Sequence, residues 1–472
     1  MKFGGEAHYP HAMKFVVIIP DGGADLPLEQ LRGKTPFEAA EMPHTRGLAH
    51  GGKVGCAWTT PEGFEAGSDV CSMSLLGYDP ARYHTGRAPL EAAALGLTLG
   101  MSDWVFRLNF VTTGLGEGRD NEAAGSAGKM LDHSAGAISD EEARELLGDL
   151  VVHWRERVPE LVQDIELHPG VSYRNIMVDH SGTDYLDLVT TPPHAIPGEL
   201  WEQHLPKSAL AMSTAEVGRC AGVEKLRGLM ELSAAYLPGH RVNIARRAAG
   251  KRMATMAWLW GQGTKPSVPS FQERFGLRGA MITSVDLLRG IASYIGWERI
   301  EVPGLTSYHD TDYAAQGQAT IDALSHYDVV CCHIEAPDEA SHQGDWKTKV
   351  ASLEAIDREI VGPVHAALAK RFGDPEQDGS SMGASKSVGK SVGKGASKGW
   401  RLLIMPDHYT LCSTRKHDAT PVPFLIAGAW MRSVVRRDFT ESSAHDSDLK
   451  IEDGHELMEY FLRGNRADVP AR

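Results

Sequence analysis

Three apolar runs, widely separated in the chain, end in the same way, and that recurrence limits the fold more than any other feature. Phe15-Val-Val-Ile-Ile-Pro-Asp21 stops at Gly22-Gly23. Asp328-Val-Val-Cys-Cys-His-Ile-Glu335 is followed by Ala336-Pro337-Asp338, and Arg401-Leu-Leu-Ile-Met-Pro406 by Asp407-His408. Short runs without polar alternation are strands buried on both faces, as in a parallel sheet covered by helices. In open α/β sheets, ligands bind outside the carboxyl ends of the strands. The pattern therefore predicts a sheet with carboxylates and imidazoles collected along one edge. Val350, Leu353, Ile356, Ile360, Val364 and Leu368 recur at helical spacing and give one apolar face for packing on such a sheet.

From about Trp104 to Pro269 the chain changes character, with mixed strands, helices and turns and no strand ending in an Asp or His pair. Residues 104–269 read as an inserted domain, which leaves a discontinuous first domain of 13–103 and 270–472. Residues 1–12 are polar and precede a second methionine, Met13; they read as an extension without functional content. Between Gly373 and Gly399 the tetrapeptide Ser-Val-Gly-Lys occurs twice among Gly, Ser and Lys. So little apolar surface cannot offset the entropy of ordering, and 373–399 reads as a disordered low-complexity loop. Gly389-Lys390-Ser391 resembles a fragment of a phosphate-binding P-loop, but the full motif also needs an earlier glycine and a preceding strand.

A chain of 472 residues with 42% apolar content can bury two moderate cores. Its net charge of -14 argues against a nucleic-acid partner, which would require a basic face. A local arginine cluster can still hold a small anion inside an acidic protein. The six cysteines include no CxxC pair, so neither a disulfide framework nor a thiolate zinc site is expected. Phe15–Ile19 is too short for a signal-peptide core or a membrane span, and a cytoplasmic protein without a membrane partner is expected.

The candidate metal ligands are Asp21, Ser68, Asp338, His342, Asp407, His408 and His417. Carboxylate, hydroxyl and imidazole donors suit Mn²⁺, Mg²⁺ or Zn²⁺, and two such ions about 4 Å apart stabilise the attacking and leaving oxygens of a phosphoryl displacement. Asp338 and His342 are four residues apart and share a helix face if Pro337 opens a helix. Taken singly, an Asp after a strand reads equally as a helix cap, and a His as a satisfied polar residue. Ser68, in Glu65-Ala-Gly67-Ser68-Asp69, has two readings: a serine capping the helix that follows, or a nucleophile activated by helix amides and a metal.

In order and spacing these stretches resemble the archaeal-type 2,3-bisphosphoglycerate-independent phosphoglycerate mutases of the alkaline-phosphatase superfamily. The likeness runs from Met13 almost to the end. It is carried by Pro20-Asp21-Gly22, Gly67-Ser68-Asp69 with Leu76-Gly-Tyr-Asp-Pro80, and Gly86-Arg87. Phe106-Arg107-Leu-Asn109, Ser172-Tyr-Arg174, Glu335-Ala-Pro-Asp338-Glu-Ala-Ser-His342, Pro406-Asp407-His408, and His417 before Pro421-Val-Pro-Phe424 complete it. The resemblance implies a layered α/β/α domain of the alkaline-phosphatase type with an inserted smaller α/β domain. It implies one divalent ion on Asp21, Ser68, Asp407 and His408 and a second on Asp338, His342 and His417. Ser68 would carry the phosphoryl group between the 3- and 2-positions of glycerate without 2,3-bisphosphoglycerate or ATP. Arg107 and Arg174, with Arg246 or Arg247, would clamp a small phosphorylated substrate.

Two departures bear on the substrate. Gln316, in Asp310-Thr-Asp312-Tyr-Ala-Ala-Gln316, stands where the family commonly has lysine, which removes a charge that could stabilise a transferring phosphoryl group. Gly86-Arg-Ala-Pro-Leu-Glu91 and Trp258-Leu-Trp-Gly-Gln-Gly263 are similar to a bacterial side branch proposed to act as homoserine kinases, so a phosphotransferase for another acceptor is the alternative. A sulfatase is disfavoured, because Cys71-Ser-Met-Ser-Leu lacks the Cys-x-Pro-x-Arg site.

Overall fold

A computed structural model gives the architecture and describes residues 13–115, 126–209, 221–373 and 399–464. The chain divides into two compact units, one of residues 1–84 and 267–472 and one of residues 85–266.

The larger unit is built on an eight-stranded sheet. Near its centre Met13–Pro20 lies between Val329–Ile334 and Gly399–Ile404 and runs parallel to both, with Pro20 opposite Ile334 and Ile18 opposite Ile404. Gly279–Ile282 and Glu298–Arg299 extend the sheet beyond Val329–Ile334, while Val422–Gly428, Lys53–Ala57 and Lys450–Ile451 extend the other side. Val422–Gly428 is antiparallel to both its neighbours. Val16, Val17, Ile18 and Ile19 are all fully buried. Successive strand residues point to opposite faces, so both faces are covered, and the unit is the layered α/β/α arrangement the three runs predicted. The Asp21 amide donates to Ile334 O at 2.9 Å and the Met405 amide to Ile18 O at 3.2 Å, so the chain leaves all three strands at one level.

The predicted amphipathic helix is a continuous helical run of Trp346–Ile356, a π turn at Asp357–Val361, and Gly362–Phe372. Leu353, Ile356, Ile360, Val364 and Leu368 are buried, and Val350 is half-buried. The wider turn precedes Pro363, which has no N–H for the helical ladder. The Asp357 carboxylate accepts hydrogen bonds from the His44 and Thr45 amides and the Thr45 hydroxyl, which anchors the first turn of the helix Pro43–Gly51.

In the smaller unit Trp104–Thr113 is flanked by Arg174–Asp179 and Met256–Thr264, antiparallel to both. The helices Asp140–Arg157 and Ala221–Tyr236 join the sheet in a core that includes Phe106, Leu108, Trp154, Leu226 and Trp258. The units part at 84/85 and 266/267, whereas the sequence placed the boundaries at 103/104 and 269/270. The shift at the first boundary follows from the helix Arg87–Ala94, which packs on Trp104–Thr113 and Met256–Thr264. A second difference is that Arg174–Asp179 does end in an acid followed by a histidine, Asp179-His180. Asp179 accepts hydrogen bonds from Lys225 Nζ at 2.8 Å and Tyr185 OH at 2.5 Å, and His180 pairs with Asp103 at 3.0 Å, so these groups tie the unit together. Residues 1–12, and 374–398 of the low-complexity stretch, lie outside the described residues. Among the described residues no helix is long and apolar enough to cross a membrane.

Candidate active site

Apart from Ser68, the candidate ligands are delivered where the chain turns at the carboxyl edge of the large sheet. Asp21 follows its strand directly, and Gly22 turns the chain with φ +56°, where a Cβ would collide with Thr410 Oγ1 and Asp338 Oδ1. Glu335 precedes the helix Ala336–Gln343, which carries Pro337 in its first turn. One helical turn brings His342 Nε2 to 3.2 Å from Asp338 Oδ2. Asp407-His408 leads into a hairpin of Tyr409–Leu411 and Lys416–Asp418, in which Thr410 faces His417. The hairpin returns His417 to the edge, with Nε2 2.9 Å from His342 Nε2 and 3.5 Å from Asp338 Oδ1. His408 Nε2 lies 3.5 Å from both Asp21 Oδ1 and Asp407 Oδ2.

Three imidazoles share one orientation. His342 Nδ1 meets Arg415 O at 3.0 Å, His417 Nδ1 meets Ala66 O at 3.0 Å, and His408 Nδ1 meets Thr410 Oγ1 at 3.1 Å. A carbonyl only accepts, so Nδ1 of His342 and His417 carries a hydrogen and Nε2 faces the carboxylates, donating to them when the ring is protonated and offering a lone pair when it is neutral. This is how metal-binding histidines are held by their surroundings. Ligand atoms of Asp338, His342 and His417 lie within 4.8 Å of one another, as do those of Asp21, Asp338 and His408. Asp338 therefore touches both of the expected ligand sets.

The charge balance fits divalent cations. Burial, with Asp407, Glu335 and Asp338 close by, pushes Asp21 well above the ordinary carboxylate range. Glu335 is pushed up by burial and by Asp338. Burial would also raise Asp338, but hydrogen bonds from His342 and His417 outweigh it and hold Asp338 well below the usual range. The same contact with Asp338 raises His342 to about 9. Asp21 Oδ1 is buried with no hydrogen-bond partner among the described residues. Oxygen and imidazole donors around an orphaned carboxylate oxygen are a donor set for Mn²⁺, Mg²⁺ or Zn²⁺.

Ser68 is the first residue of the helix Ser68–Leu75 and Gly67 occupies the cap position, so the serine hydroxyl caps nothing. Instead Ser68 Oγ lies 3.3 Å from His408 Nε2. Ser72, one turn on, donates to Asp407 Oδ2 at 3.2 Å, which ties this helix to the ligand cluster. A further acid–histidine group in the smaller unit, Glu145, Asp149 and His240, has a local explanation. His240 Nδ1 accepts from the Val242 amide as a helix cap, and Nε2–H is directed at Asp149 at 2.9 Å.

The four arginines lie in the smaller unit and differ in what holds them. Arg107 is buried, paired with Glu91 at 2.9 Å and stacked 4.1 Å over the Trp260 ring. Burial lowers its pKa, and nearby Arg87 and Arg174 add to that, which marks a concentration of positive charge. Arg174 is exposed and lies 5.0 Å over the Tyr173 ring. His194 shares this field and is held down to about 4 by burial, Arg107 and Arg87. Arg246 is different: its donors reach Arg252 O, Glu142 and Ala135 O, so it is a buried structural crosslink and no clamp. Arg247 is exposed on the helix Arg241–Ala248.

Residues 49–243 match the family profile described as 2,3-bisphosphoglycerate-independent phosphoglycerate mutase. A Methanothermobacter thermautotrophicus protein named 2,3-bisphosphoglycerate-independent phosphoglycerate mutase 2 is 39% identical over 450 residues, 95% of this chain and 97% of its own length. The chain belongs to this mutase family. A solved structure of a Pyrococcus horikoshii protein superposes with a TM-score of 0.70 at 25% identity, covering 96% of this chain and 97% of that one. The cofactor-independent phosphoglycerate mutase of Thermoplasma acidophilum shares the fold, with a TM-score of 0.57 at 22% identity over 95% of this chain and 99% of its own. The fold is alkaline-phosphatase-like, as the resemblance implied.

Within this mutase framework three groups were missed in the sequence. His333 and Thr410 both touch the ligand cluster, and Arg87 belongs to the arginine group. A histidine inside an otherwise apolar buried strand was a readable signal, because such a position is costly unless the ring is paired. Arg87 stood in the Gly86-Arg87 stretch that carries the resemblance without being read as a substrate contact, and Thr410 carried no signal. Gln316 is buried and donates from Nε2 to His333 O at 3.3 Å.

Proposed function

We propose that this chain interconverts 3-phosphoglycerate and 2-phosphoglycerate without 2,3-bisphosphoglycerate, using Ser68 as a phosphoryl carrier. The family membership supports the overall reaction, and the observation that carries the site is the inward convergence of Nε2 from His342, His417 and His408 on Asp21, Asp338 and Asp407 beside Ser68 Oγ. Asp21, Ser68, Asp407 and His408 would hold one divalent ion and Asp338, His342 and His417 a second. Such ions, when bound, lower the pKa of a serine hydroxyl and neutralise charge on phosphoryl oxygens.

The chain's own groups do the rest. Ser68 Oγ attacks phosphorus, the bond to the 3-oxygen breaks, and the serine's proton ends on that oxygen. The glycerate turns, its 2-hydroxyl attacks the phosphoserine, and its proton returns to Oγ. Amides at the start of the helix Ser68–Leu75 favour the negative charge of the phosphoryl group. Arg107 and Arg174, with Arg87 beside them, would hold the carboxylate and phosphate by bidentate hydrogen bonds. Water must be kept from the phosphoserine, or the enzyme becomes a phosphatase.

The test is turnover of 3-phosphoglycerate with Mn²⁺ and no 2,3-bisphosphoglycerate, coupled to enolase, run beside ATP with homoserine. Turnover in the first assay alone supports the mutase. Turnover only with ATP and homoserine would replace it with a kinase.

A further inference from the structure

His333 turns Nε2 toward the carboxylates as the other three histidines of the cluster do, and differs from them in its hydrogen-bond partners. Its Nε2 meets Asp21 Oδ2 at 2.8 Å, and its Nδ1 meets Thr283 Oγ1 at 3.0 Å. Asp21 acting as a metal ligand would be ionised and would only accept, so Nε2 would carry the hydrogen and Nδ1 would accept from the Thr283 hydroxyl. Thr283 is turned for this by its own acceptance of the Val285 amide at 3.0 Å. Both ends of the chain are sealed from water, since His333 and Asp21 are each fully buried and Thr283 nearly so. Thr283 and Asp21 directly follow the strands Gly279–Ile282 and Met13–Pro20, and His333 lies in Val329–Ile334 between and parallel to them, so the arrangement is fixed by strand register. With Oδ2 occupied, Asp21 has one oxygen left, the unpartnered Oδ1 that lies 3.5 Å from His408 Nε2.

We infer that His333 is a positioning residue: held by Thr283, it pins Oδ2 of Asp21 so that the carboxylate presents Oδ1 alone to a divalent ion. The inference rests on the metal reading proposed above. It assigns His333 as support and not as a ligand, although its ring lies close enough to Asp21 and Asp407 to be counted among possible donors. Hydrogen bonds to ligating carboxylates and imidazoles from such supporting groups commonly change metal affinity about 10- to 100-fold.

The experiment is Mn²⁺ titration of the full chain, read by electron paramagnetic resonance of the free ion, for wild type, His333→Ala, His333→Gln and Thr283→Val. Melting temperatures in EDTA are recorded alongside. His333→Ala should weaken one of two Mn²⁺ sites about 10- to 100-fold and leave the other unchanged. His333→Gln, whose amide can donate to Oδ2, should recover most of the affinity, and Thr283→Val should fall between. A residue that only fills space would lower the metal-free melting temperature without a site-selective loss. Two Mn²⁺ bound by His333→Ala with wild-type affinity would overturn the inference and leave the metal reading intact. If His333→Ala does not fold, equal affinity in Thr283→Val and wild type overturns it. Wild-type protein that takes up no Mn²⁺ would overturn both.

Discussion

At the scale of single residues, Ser68 separates structure from chemistry. Because Gly67 takes the cap position, replacing the serine costs the helix no cap bond, and Ser68→Ala should shift the melting temperature little. A capping serine would instead lose about 0.5–2 kcal/mol on the same change. Turnover should fall by orders of magnitude, and wild-type protein quenched during turnover should carry one phosphate on the peptide containing Ser68. Full activity in Ser68→Ala, or phosphate on a histidine, would sink the phosphoserine route. Glu441 offers a test by pH. It is buried, accepts from the Thr35 hydroxyl at 2.6 Å and the Asp25 amide at 3.1 Å, and burial raises it from 4.5 to about 7. A raised folded-state pKa means that the folded protein binds the proton more tightly, so this contribution to stability is full below pH 4.5 and is lost as pH rises to about 7. Urea midpoints of wild type should fall across that window more than those of Glu441→Gln. Parallel profiles would refute the assignment.

Among elements, the loop after Met13–Pro20 and the hairpin Tyr409–Leu411 are joined by one buried side chain from the helix Trp346–Ile356. Lys349 Nζ donates to Thr410 O at 2.8 Å and to Ala24 O and Asp25 Oδ2 at 3.1 Å. All three acceptors lie within a few residues of Asp21 or His408. Lys349→Met would strand the Asp25 carboxylate and should cost about 3–5 kcal/mol in urea unfolding. A loss below about 1 kcal/mol would show that the helix docks through its apolar face alone. The sequence made the apolar face of this helix plain and said nothing of Lys349, because a buried lysine has no local signature. The same division runs through the site. Asp21, Asp338 and Asp407 could be read because each closes an apolar run, and His342 because it sits one turn beyond Asp338. Thr410 could not, since its role depends on a three-residue strand facing His417. The boundary at 84/85 was hidden because the helix Arg87–Ala94 commits to strands that begin only at Trp104 and Met256. Asp179-His180 was passed over because its partner Lys225 is distant in sequence.

For the whole molecule, the decisive fact is that every proposed metal ligand belongs to one compact unit, while the smaller unit has its own core. An ion that binds only the folded larger unit stabilises that unit by mass action, by a factor of about 100 when free ion is a hundredfold above Kd. The amides that open last in that unit should be those of the central strands Met13–Pro20, Val329–Ile334 and Gly399–Ile404, which are buried on both faces and end at the ligands. Native-state hydrogen exchange followed by mass spectrometry, with Mn²⁺ and then with EDTA, resolves these peptides from those of Trp104–Thr113 in the smaller unit. Peptides of the three central strands should exchange roughly 100-fold more slowly with Mn²⁺, because their slowest openings release the ions. Those of Trp104–Thr113 should keep one rate, since that strand places Phe106 in a core with Trp154 and Trp258 that supplies no ligand. Equal slowing in both units would mean that they open only together, and the two-unit account of stability would fall. Slowing confined to the smaller unit would move the metal to the arginine-bearing side of the chain and remove the basis for the ligand assignment.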